Sequence, residues 1–345
     1  MRILILALAL TFAPSALLAQ TRDEHVQIRV GDSVLAGTLT RPEGATHAAV
    51  VLIQGTGPHG RDQVVSGAPM FAELADGLAA HGVASLRIDN SGVGESTGER
   101  VQHLRQRVPQ ISAVFDFLSA HEDLREHPVG LIGHSEGAMV AAEVWQGRSE
   151  QIDFIVLAGA PGRQGRTVWV DQQSNPDRFP AHDAEGLARI RAGFEAAADA
   201  SIAGDIPGLE SATDALFATI GMPEDQADAI RTGFLARMGS PEMQVLLGHD
   251  PAPAYGRITV PVLAVWGDVD TLAAPALNAP ALVEGRNADS ALTVVVLPEE
   301  DHFFLVGEGV EPGQHEPGKM ALSPRLVDVV GSWINNRVSS QGPSR

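Results

Sequence analysis

The stretch that decides the fold is "HPVGLIGHSEGAMVAAEV", residues 127–144. It begins as a strand-like apolar run and changes directly into residues that favour a helix. Gly133 and Gly137 flank Ser135 on either side. Glycines at these positions relieve crowding where a strand reverses sharply into a helix. The stretch therefore predicts a strand, a tight turn that lifts the Ser135 hydroxyl above a sheet, and a helix whose N-terminus faces that hydroxyl.

Strand-like and helical segments alternate on both sides of this turn. Continuous apolar runs, typical of strands buried on both faces, occur in "HAAVVLIQGTG", "VASLRIDNSGVG", "IDFIVLAGAPG", "ITVPVLAVWGDVD" and "ALTVVVLPEEDHFF". Helical spacing occurs between them, as in "MFAELADGLAAHG" and "RVPQISAVFDFLSAHEDL". Upstream, "HVQIRVGDSVLAGTLTRPEG" alternates in period two, as an antiparallel hairpin would. The pattern predicts parallel βαβ units in a doubly wound, mostly parallel α/β sheet.

The alternation stops between residues 163 and 257, where only helical pieces occur. We interpret this segment as a helical cap inserted between two parts of an α/β core, residues 20–162 and 258–345. Because the segment interrupts the chain where strands end, we expect it to lie above Ser135. Some of its apolar residues are expected to line a pocket there that favours apolar acyl groups. The candidates are Ile190, Phe194, Leu216, Phe217, Ile220, Phe234, Leu235 and Met238.

The first residues, "MRILILALALTFAPSALLAQ", have the pattern of a targeting segment. A short positive start precedes an apolar core, and small residues follow near Ala19. This pattern predicts a signal peptide over residues 1–19 and an exported protein, either periplasmic or secreted. A buried first strand or helix is the alternative interpretation.

Charge and cysteine content exclude several classes of protein. The 345 residues carry a formal net charge of −19, which argues against nucleic acid or an anionic membrane surface as a partner. There are no cysteines, and this excludes disulfides, thiolate metal sites and a cysteine nucleophile. Hydrophobic residues make up 44% of the chain, enough for a sizeable core.

A serine hydroxyl needs a base, and the base needs an orienting carboxylate. Asp270 and His302 each follow an apolar strand-like run, as Ser135 does. Active sites of open α/β sheets lie at the carboxyl ends of the strands, so we expect these three residues to converge. The turn at Ser135 also aims the backbone N–H of Glu136 at any oxyanion formed there.

Other residues near these positions are less favoured candidates for the site. Asp268 competes with Asp270 for the role of orienting carboxylate, and His59 is the second choice for the base. His134 is expected to pack or hydrogen-bond locally. Asp301 and Glu300 are expected to be solvated loop charges.

Five segments, spread in order over most of the chain, resemble serine α/β-hydrolases. They match the branch of esterases and serine-aminopeptidase-like enzymes that has a "GSGPxxRD" oxyanion loop. The matching segments are "IQGTGPHGRDQ" (53–63), "RIDNSGVGESTG" (87–98), "GHSEG" (133–137), "WGDVD" (266–270) and "DHFF" (301–304).

The resemblance implies an α/β-hydrolase fold and a role for each matching residue. Ser135 would be the nucleophile, Asp270 the orienting carboxylate and His302 the base. The backbone N–H groups of Thr56 and Glu136 would form the oxyanion hole. The oxyanion loop would be braced by its usual pair, Arg61 and Asp62.

The sequence therefore predicts a serine esterase that forms an acyl-enzyme with a small-molecule ester and needs no metal or organic cofactor. A peptidase or amidase with the same triad is the alternative within this chemistry. A dinucleotide-binding oxidoreductase is the rival from another class, because Gly55, Gly57 and Gly60 fit G-x-G-x-x-G and Asp89 ends the next strand. A non-catalytic binding protein that keeps the fold is the third possibility.

Overall fold

A computed structural model describes residues 21–101, 103–285 and 291–341, and the predicted signal peptide lies outside these ranges. The central feature is a sheet of eight strands. Two short hairpins lie beside it, formed by β4 with β5 and by β11 with β12. The strands are β1 (Thr21–Val30), β2 (Ser33–Pro42), β3 (Ala48–Ile53), β4 (Val64–Val65), β5 (Ala68–Pro69), β6 (Val83–Ile88), β7 (Val129–His134), β8 (Phe154–Ala158), β9 (Val262–Gly267), β10 (Leu292–Leu297), β11 (Leu305–Gly307) and β12 (Met320–Leu322).

The central sheet has the order β1-β2-β6-β3-β7-β8-β9-β10. The β1–β2 hairpin pairs with β6 in antiparallel fashion, and the remaining strands are parallel. The predicted mostly parallel α/β sheet is confirmed. Because β7, β8, β9 and β10 are neighbours, the segments that follow their carboxyl ends meet at one edge of the sheet.

The β3 strand shows why the apolar runs are continuous. Its six residues are all buried. Ala49, Val51 and Ile53 face one hydrophobic core, whereas Ala48, Val50 and Leu52 face a second core on the other side of the sheet. A strand covered by helices on both faces needs apolar residues at every position, since successive side chains point to opposite sides.

Helices cover both faces of the sheet. Residues of α2 and α3 contribute to the core on one face, and residues of α1 and α11 contribute to the core on the other. No helix in the described part of the chain is long and apolar enough to cross a membrane. The helices are α1 (Met70–Ala80), α2 (Leu104–Ser119), α3 (Glu136–Gly147), α4 (Gly165–Gln173), α5 (Ala184–Ala203), α6 (Ile206–Ile220), α7 (Glu224–Met238), α8 (Pro241–Gly248), α9 (Ala252–Arg257), α10 (Pro275–Glu284) and α11 (Pro324–Gln341).

Residues 163–257, the predicted cap, contain α4 to α9, a short 3₁₀ helix and no strand. Helices α4 to α8 pack around a hydrophobic cluster of their own, which includes Trp169, Ile190, Leu216 and Met243. Helix α9 differs, because its residues Ala254 and Tyr255 are buried in the same core of the sheet as α2 and α3. The helical segment thus has its own small core and ends with a helix that belongs to the packing of the α/β core.

Candidate active site

Ser135 lies in a strained turn between β7 and α3. Its backbone has φ = 56° and ψ = −121°, in a region that residues with a side chain rarely adopt. Gly133 and Gly137 permit the turn because they lack a Cβ, which lets neighbouring backbone atoms lie very close to them. A Cβ on Gly137 would lie 2.2 Å from the Ile53 carbonyl oxygen, and one on Gly133 would lie 2.3 Å from the Gly137 carbonyl oxygen. Strain of this kind costs about 1–3 kcal/mol and persists where packing enforces it.

His302 and Asp270 form a buried pair at the carboxyl ends of β10 and β9. The His302 Nδ1 atom is 2.9 Å from Asp270 Oδ2, and the two side chains are 6% and 0% exposed. Asp270 Oδ1 also accepts hydrogen bonds from the backbone N–H groups of Leu272 and Ala273. Burial raises the pKa of Asp270, but attraction to His302 and these hydrogen bonds outweigh burial and hold the pKa below its usual value. Asp270 is therefore ionised and holds Nδ1 of His302 as a donor.

The competing residues have other partners. Asp268 accepts a hydrogen bond from the Glu299 backbone N–H at 2.6 Å. The His59 Nε2 atom donates to the Thr56 carbonyl oxygen at 2.8 Å. Among the candidates named from the sequence, the structure brings Asp270 and not Asp268 to the ring of His302.

The expectation that Glu300 and Asp301 are solvated charges is wrong. Glu300 is fully buried and accepts a hydrogen bond from the Ser323 hydroxyl. Burial raises the pKa of its carboxyl group. Asp301 is 7% exposed and lies 2.5 Å from His315 Nε2. Both carboxylates fix the loop that carries His302, and the polar sequence "PEEDH" gave no sign of this burial.

The loop after β3 is held by side chains on two sides. Arg107 donates to the carbonyl oxygens of Gln54 and Gly55 at 2.7 and 3.1 Å. On the other side, Gln63 Oε1 accepts from the Gly55 N–H at 2.8 Å. The backbone N–H of Thr56 donates a hydrogen bond to none of the described residues.

Arg61 and Asp89 anchor the following part of the loop. The Arg61 backbone N–H and guanidinium all bind the Asp89 carboxylate, with the shortest contact at 2.6 Å. Asp62, the second residue of the predicted bracing pair, accepts from Arg87 Nε at 2.8 Å. Asp89 is therefore occupied by an arginine, and the helix after the glycine segment begins only at Met70. Neither feature fits a dinucleotide site.

His134 connects the loop after β3 to the loop that carries His302. Its Nε2 atom lies 2.8 Å from the His302 carbonyl oxygen, and its Nδ1 atom lies 2.9 Å from Gln63 Nε2. A carbonyl only accepts hydrogen bonds, so Nε2 carries the proton and Nδ1 accepts from the Gln63 amide. Burial, together with the neighbouring His302, lowers the pKa of His134 to about 3. The imidazole is thus neutral and acts as a fixed spacer.

A cavity of about 330 Å³ lies over Ser135. Four of the predicted site residues line it, namely Thr56, Ser135, Glu136 and His302, while Asp270 lies behind His302. The helical segment supplies the opposite wall. Its lining residues are Gly165, Val168, Trp169, Gln172, Gln173, Arg237 and Leu246.

Some of eight apolar residues of the helical segment were expected to face this gap, but none of the eight lines the cavity within the described part of the chain. Five of them are buried inside the segment's own cluster, and Ile220, Phe234 and Leu235 pack against that cluster. The apolar part of the wall comes instead from other positions, which are Met139, Pro161, Val168, Trp169, Leu246, Leu272 and Phe303. The amphipathic stripes of the helices serve packing between helices, which is their commonest role.

The described residues contain no cluster of three or more His, Cys, Asp or Glu side chains able to hold a metal ion. The polar side chains that the α/β core contributes to the cavity wall include His59, Gln63, His134, Glu136 and His302.

Known proteins share this architecture. A family model described as serine aminopeptidase, S33, matches residues 44–178. Proline iminopeptidase from Mycobacterium smegmatis superimposes with a TM-score of 0.57 at 17% identity, covering 92% of this chain and 99% of that one. Est1E from Butyrivibrio proteoclasticus superimposes with a TM-score of 0.53 at 15% identity, covering 91% and 99%. The chain has the α/β-hydrolase fold.

A curated relative supports the same resemblance. Esterase EstD from Thermotoga maritima is 24% identical over 305 residues, which are 87% of this chain. The match spans 65% of the length of that relative. The family resemblance inferred from the five sequence segments is confirmed.

Several residues of the candidate site were not predicted from the sequence. Arg107, Gln63 and the side chain of Glu136 hold the loop after β3. Gln63 and Glu136 lie inside matching segments and Arg107 lies outside them, but the sequence assigned this role to none of the three side chains. Trp169 and Arg237 line the cavity from helices whose orientation depends on the packing of the whole segment. Only the G-x-S-x-G turn and the strand ends gave a signal in the sequence.

Proposed function

We propose that the protein is a serine hydrolase that cleaves carboxylic esters through Ser135, His302 and Asp270. The observation that carries the proposal is the buried His302–Asp270 pair on the same cavity as a strained, helix-capping Ser135. A turn of this conformation has a cost in stability, which a merely structural loop would avoid. The proposed nucleophile, orienting carboxylate and base follow β7, β9 and β10 in that order, which is the order that this fold uses.

The proposed reaction begins when His302 Nε2 takes the proton of the Ser135 hydroxyl as Oγ attacks the ester carbonyl carbon. The Nδ1–H of His302 donates to Asp270 and stabilises the imidazolium that forms. Negative charge develops on the carbonyl oxygen, where the N–H groups of Thr56 and Glu136 and the N-terminus of α3 stabilise it.

Collapse of the tetrahedral intermediate breaks the bond to the alcohol oxygen, which receives the proton from His302. Water then enters, His302 takes one of its protons, and the hydroxide attacks the acyl carbon. The second intermediate releases the carboxylic acid and returns the proton to Ser135 Oγ. Two acyl transfers thus replace one difficult hydrolysis.

The cavity wall supports a small ester with an apolar acyl group as substrate. Met139, Trp169 and Leu246 offer apolar surface, and such surface excludes water from the acyl-enzyme. Gln172, Gln173 and Arg237 form a polar part of the wall, where an alcohol group or solvent would be accommodated.

The comparisons support hydrolase chemistry in general. The curated relative is named an esterase, whereas the family model and one solved structure are named peptidases. Amide cleavage by the same residues is therefore the second candidate. Export is proposed from the N-terminal sequence pattern alone, and N-terminal sequencing of the mature protein from its native host tests it.

Labelling and a substrate panel test the proposal. We expect a fluorophosphonate to label the wild-type protein once per chain, and Ser135→Ala to lose both labelling and nearly all hydrolysis. Removal of a triad member typically lowers turnover by several powers of ten. A panel of p-nitrophenyl esters of graded acyl length, run beside the matching anilides, separates esterase from amidase. Retention of labelling by Ser135→Ala, or turnover within about tenfold of wild type, would contradict the nucleophile assignment.

A further inference from the structure

A buried ion pair behind the oxyanion loop is not used by the proposed reaction. Arg107 and Glu136 have side chains that are each 5% exposed, and Arg107 Nη1 lies 3.0 Å from Glu136 Oε1. Arg107 lies in the first turn of α2, where the helix dipole disfavours a cation. The helix dipole therefore does not account for a buried arginine at this position.

The pair connects the two segments that would form the oxyanion hole. Arg107 donates to the carbonyl oxygens of Gln54 and Gly55, which directly precede Thr56. It also binds Glu136, whose other carboxylate oxygen accepts from the Thr56 hydroxyl at 3.2 Å. One guanidinium and one carboxylate thus fix the spacing between the backbone N–H groups of Thr56 and Glu136.

The charge of Glu136 gives Arg107 a second effect. Glu136 directly follows Ser135 and lines the cavity, so its carboxylate is close to the place where the oxyanion would develop. An uncompensated negative charge in a buried site would oppose that oxyanion. The guanidinium of Arg107 neutralises the carboxylate while leaving it free to accept from Thr56.

We propose that Arg107 and the side chain of Glu136 are positioning residues for the oxyanion hole, and that Arg107 also removes an electrostatic penalty on the transition state. The inference rests on the proposed function. It assigns these side chains an effect on kcat, through the spacing and charge around the hole, and little effect on the binding of the ester.

Four variants test this assignment against a matched control. We expect Arg107→Met to lower kcat about 100-fold, as loss of an oxyanion donor does, with KM changed by less than about threefold. Glu136→Gln keeps an oxygen for Thr56, so it should lower kcat by less than about tenfold. The double variant should be about tenfold faster than Arg107→Met, because no buried charge remains unpaired. Arg107→Lys keeps the charge without the planar fork and should fall between Arg107→Met and wild type.

Arg41→Met is the control. Arg41 is 9% exposed and forms ion pairs with Glu24 and Asp123. It lies in β2, in the hairpin at the end of the sheet opposite to β9 and β10. Its loss should lower thermal stability and leave kcat within about twofold of wild type. Circular dichroism and unfolding midpoints show whether each variant is folded at the assay temperature. If Arg107→Met does not fold, the kcat and KM of Arg107→Lys and Glu136→Gln, each compared with wild type, test the positioning role instead.

The outcomes separate this inference from the proposed function. If Ser135→Ala abolishes phosphonate labelling while folded Arg107→Met or Arg107→Lys keeps full kcat, the positioning role is overturned and the hydrolase is not. An increase in KM with unchanged kcat would also overturn it. If the double variant is no faster than Arg107→Met, the charge-neutralising role is wrong. Labelling that survives in Ser135→Ala would overturn the proposed function itself.

Discussion

The α/β core and the helical segment 163–257 line the same cavity in different ways. The core contributes groups that are held in place, such as the His302 side chain, which is 6% exposed and paired with Asp270, and Ser135 in its strained turn. The helical segment contributes side chains from three helices, α4, α7 and α8, of which Arg237 is exposed and Gln172, Gln173 and Leu246 are half-buried. Reaction chemistry needs the first arrangement, because a small displacement of a catalytic group removes much of its effect. Substrate selection tolerates the less rigid side chains of the helical segment.

The largest effect that separates the two regions is expected at the orienting carboxylate. We expect Asp270→Asn to lower kcat by about four powers of ten, because an amide does not hold the imidazole in the required tautomer or stabilise its charge. The matched control is Asp268→Asn, whose carboxylate caps the Glu299 N–H instead. Steady-state kinetics on the best ester measure both variants. A severe Asp268→Asn with a mild Asp270→Asn would reverse the assignment.

The second prediction concerns the turn that supports Ser135. We expect Gly137→Ala to lower the free energy of unfolding by about 3 kcal/mol, because its Cβ would overlap the Ile53 carbonyl oxygen. Gly147→Ala, at the end of the same helix, is the control. A Cβ there meets nothing within 4 Å, so alanine should be neutral or stabilise by up to about 1 kcal/mol. Denaturant unfolding of both variants measures the difference, and equal stabilities would show that the turn relaxes easily.

Much of the core was predictable because its sequence patterns follow from backbone geometry. Buried parallel strands require continuous apolar runs, and a strand-to-helix reversal requires small residues on either side of Ser135. The position of Asp270 and His302 follows from the topology, since strand ends meet at one edge of the sheet. None of these inferences needs the orientation of a particular side chain.

The remaining features depend on contacts between segments far apart in the sequence. Arg107 binds the Gly55 carbonyl oxygen, 52 positions away in the chain, and His134 binds the His302 carbonyl oxygen, 168 positions away. Burial of Glu300 depends on Ser323 from another loop. The same holds for the cavity wall, because an amphipathic stripe does not reveal whether its partner is another helix or the gap over Ser135.

The third prediction contrasts two leucines of the helical segment. Leu246 lines the cavity, whereas Leu216 is 1% exposed inside the segment's own cluster. We expect Leu246→Ala to lower kcat/KM about tenfold for the preferred acyl length and to shift the optimum toward longer acyl groups. Leu216→Ala should lower the free energy of unfolding by about 2–5 kcal/mol and leave the acyl profile unchanged. A profile that moves with Leu216 and not with Leu246 would show that the cavity wall is formed differently in solution.

The smallest expected effect concerns how acid acts on the two regions. His134 in the core is 1% exposed, and burial lowers its pKa to about 3 from an ordinary value of 6.5. His249, between α8 and α9, is 9% exposed, and burial lowers its pKa as well. Between pH 3 and 6.5 the unfolded chain binds a proton at position 134 that the folded chain does not. The free energy of unfolding therefore rises with pH over this window, and the stabilisation is lost as the pH falls through it.

We expect His134→Gln to remove about one proton from this dependence, which is a slope of about 1.4 kcal/mol per pH unit in the middle of the window. Glutamine keeps an N–H near the position of Nε2 that donates to the His302 carbonyl oxygen, so the loop contact is retained in part. His249→Gln should remove less of the slope, because that ring is less enclosed. Denaturant unfolding at several pH values from 4 to 7 measures the slopes. Equal slopes in wild type and His134→Gln would mean that His134 binds its proton equally well in the folded and unfolded chain, so that the core has no special sensitivity to acid at this position.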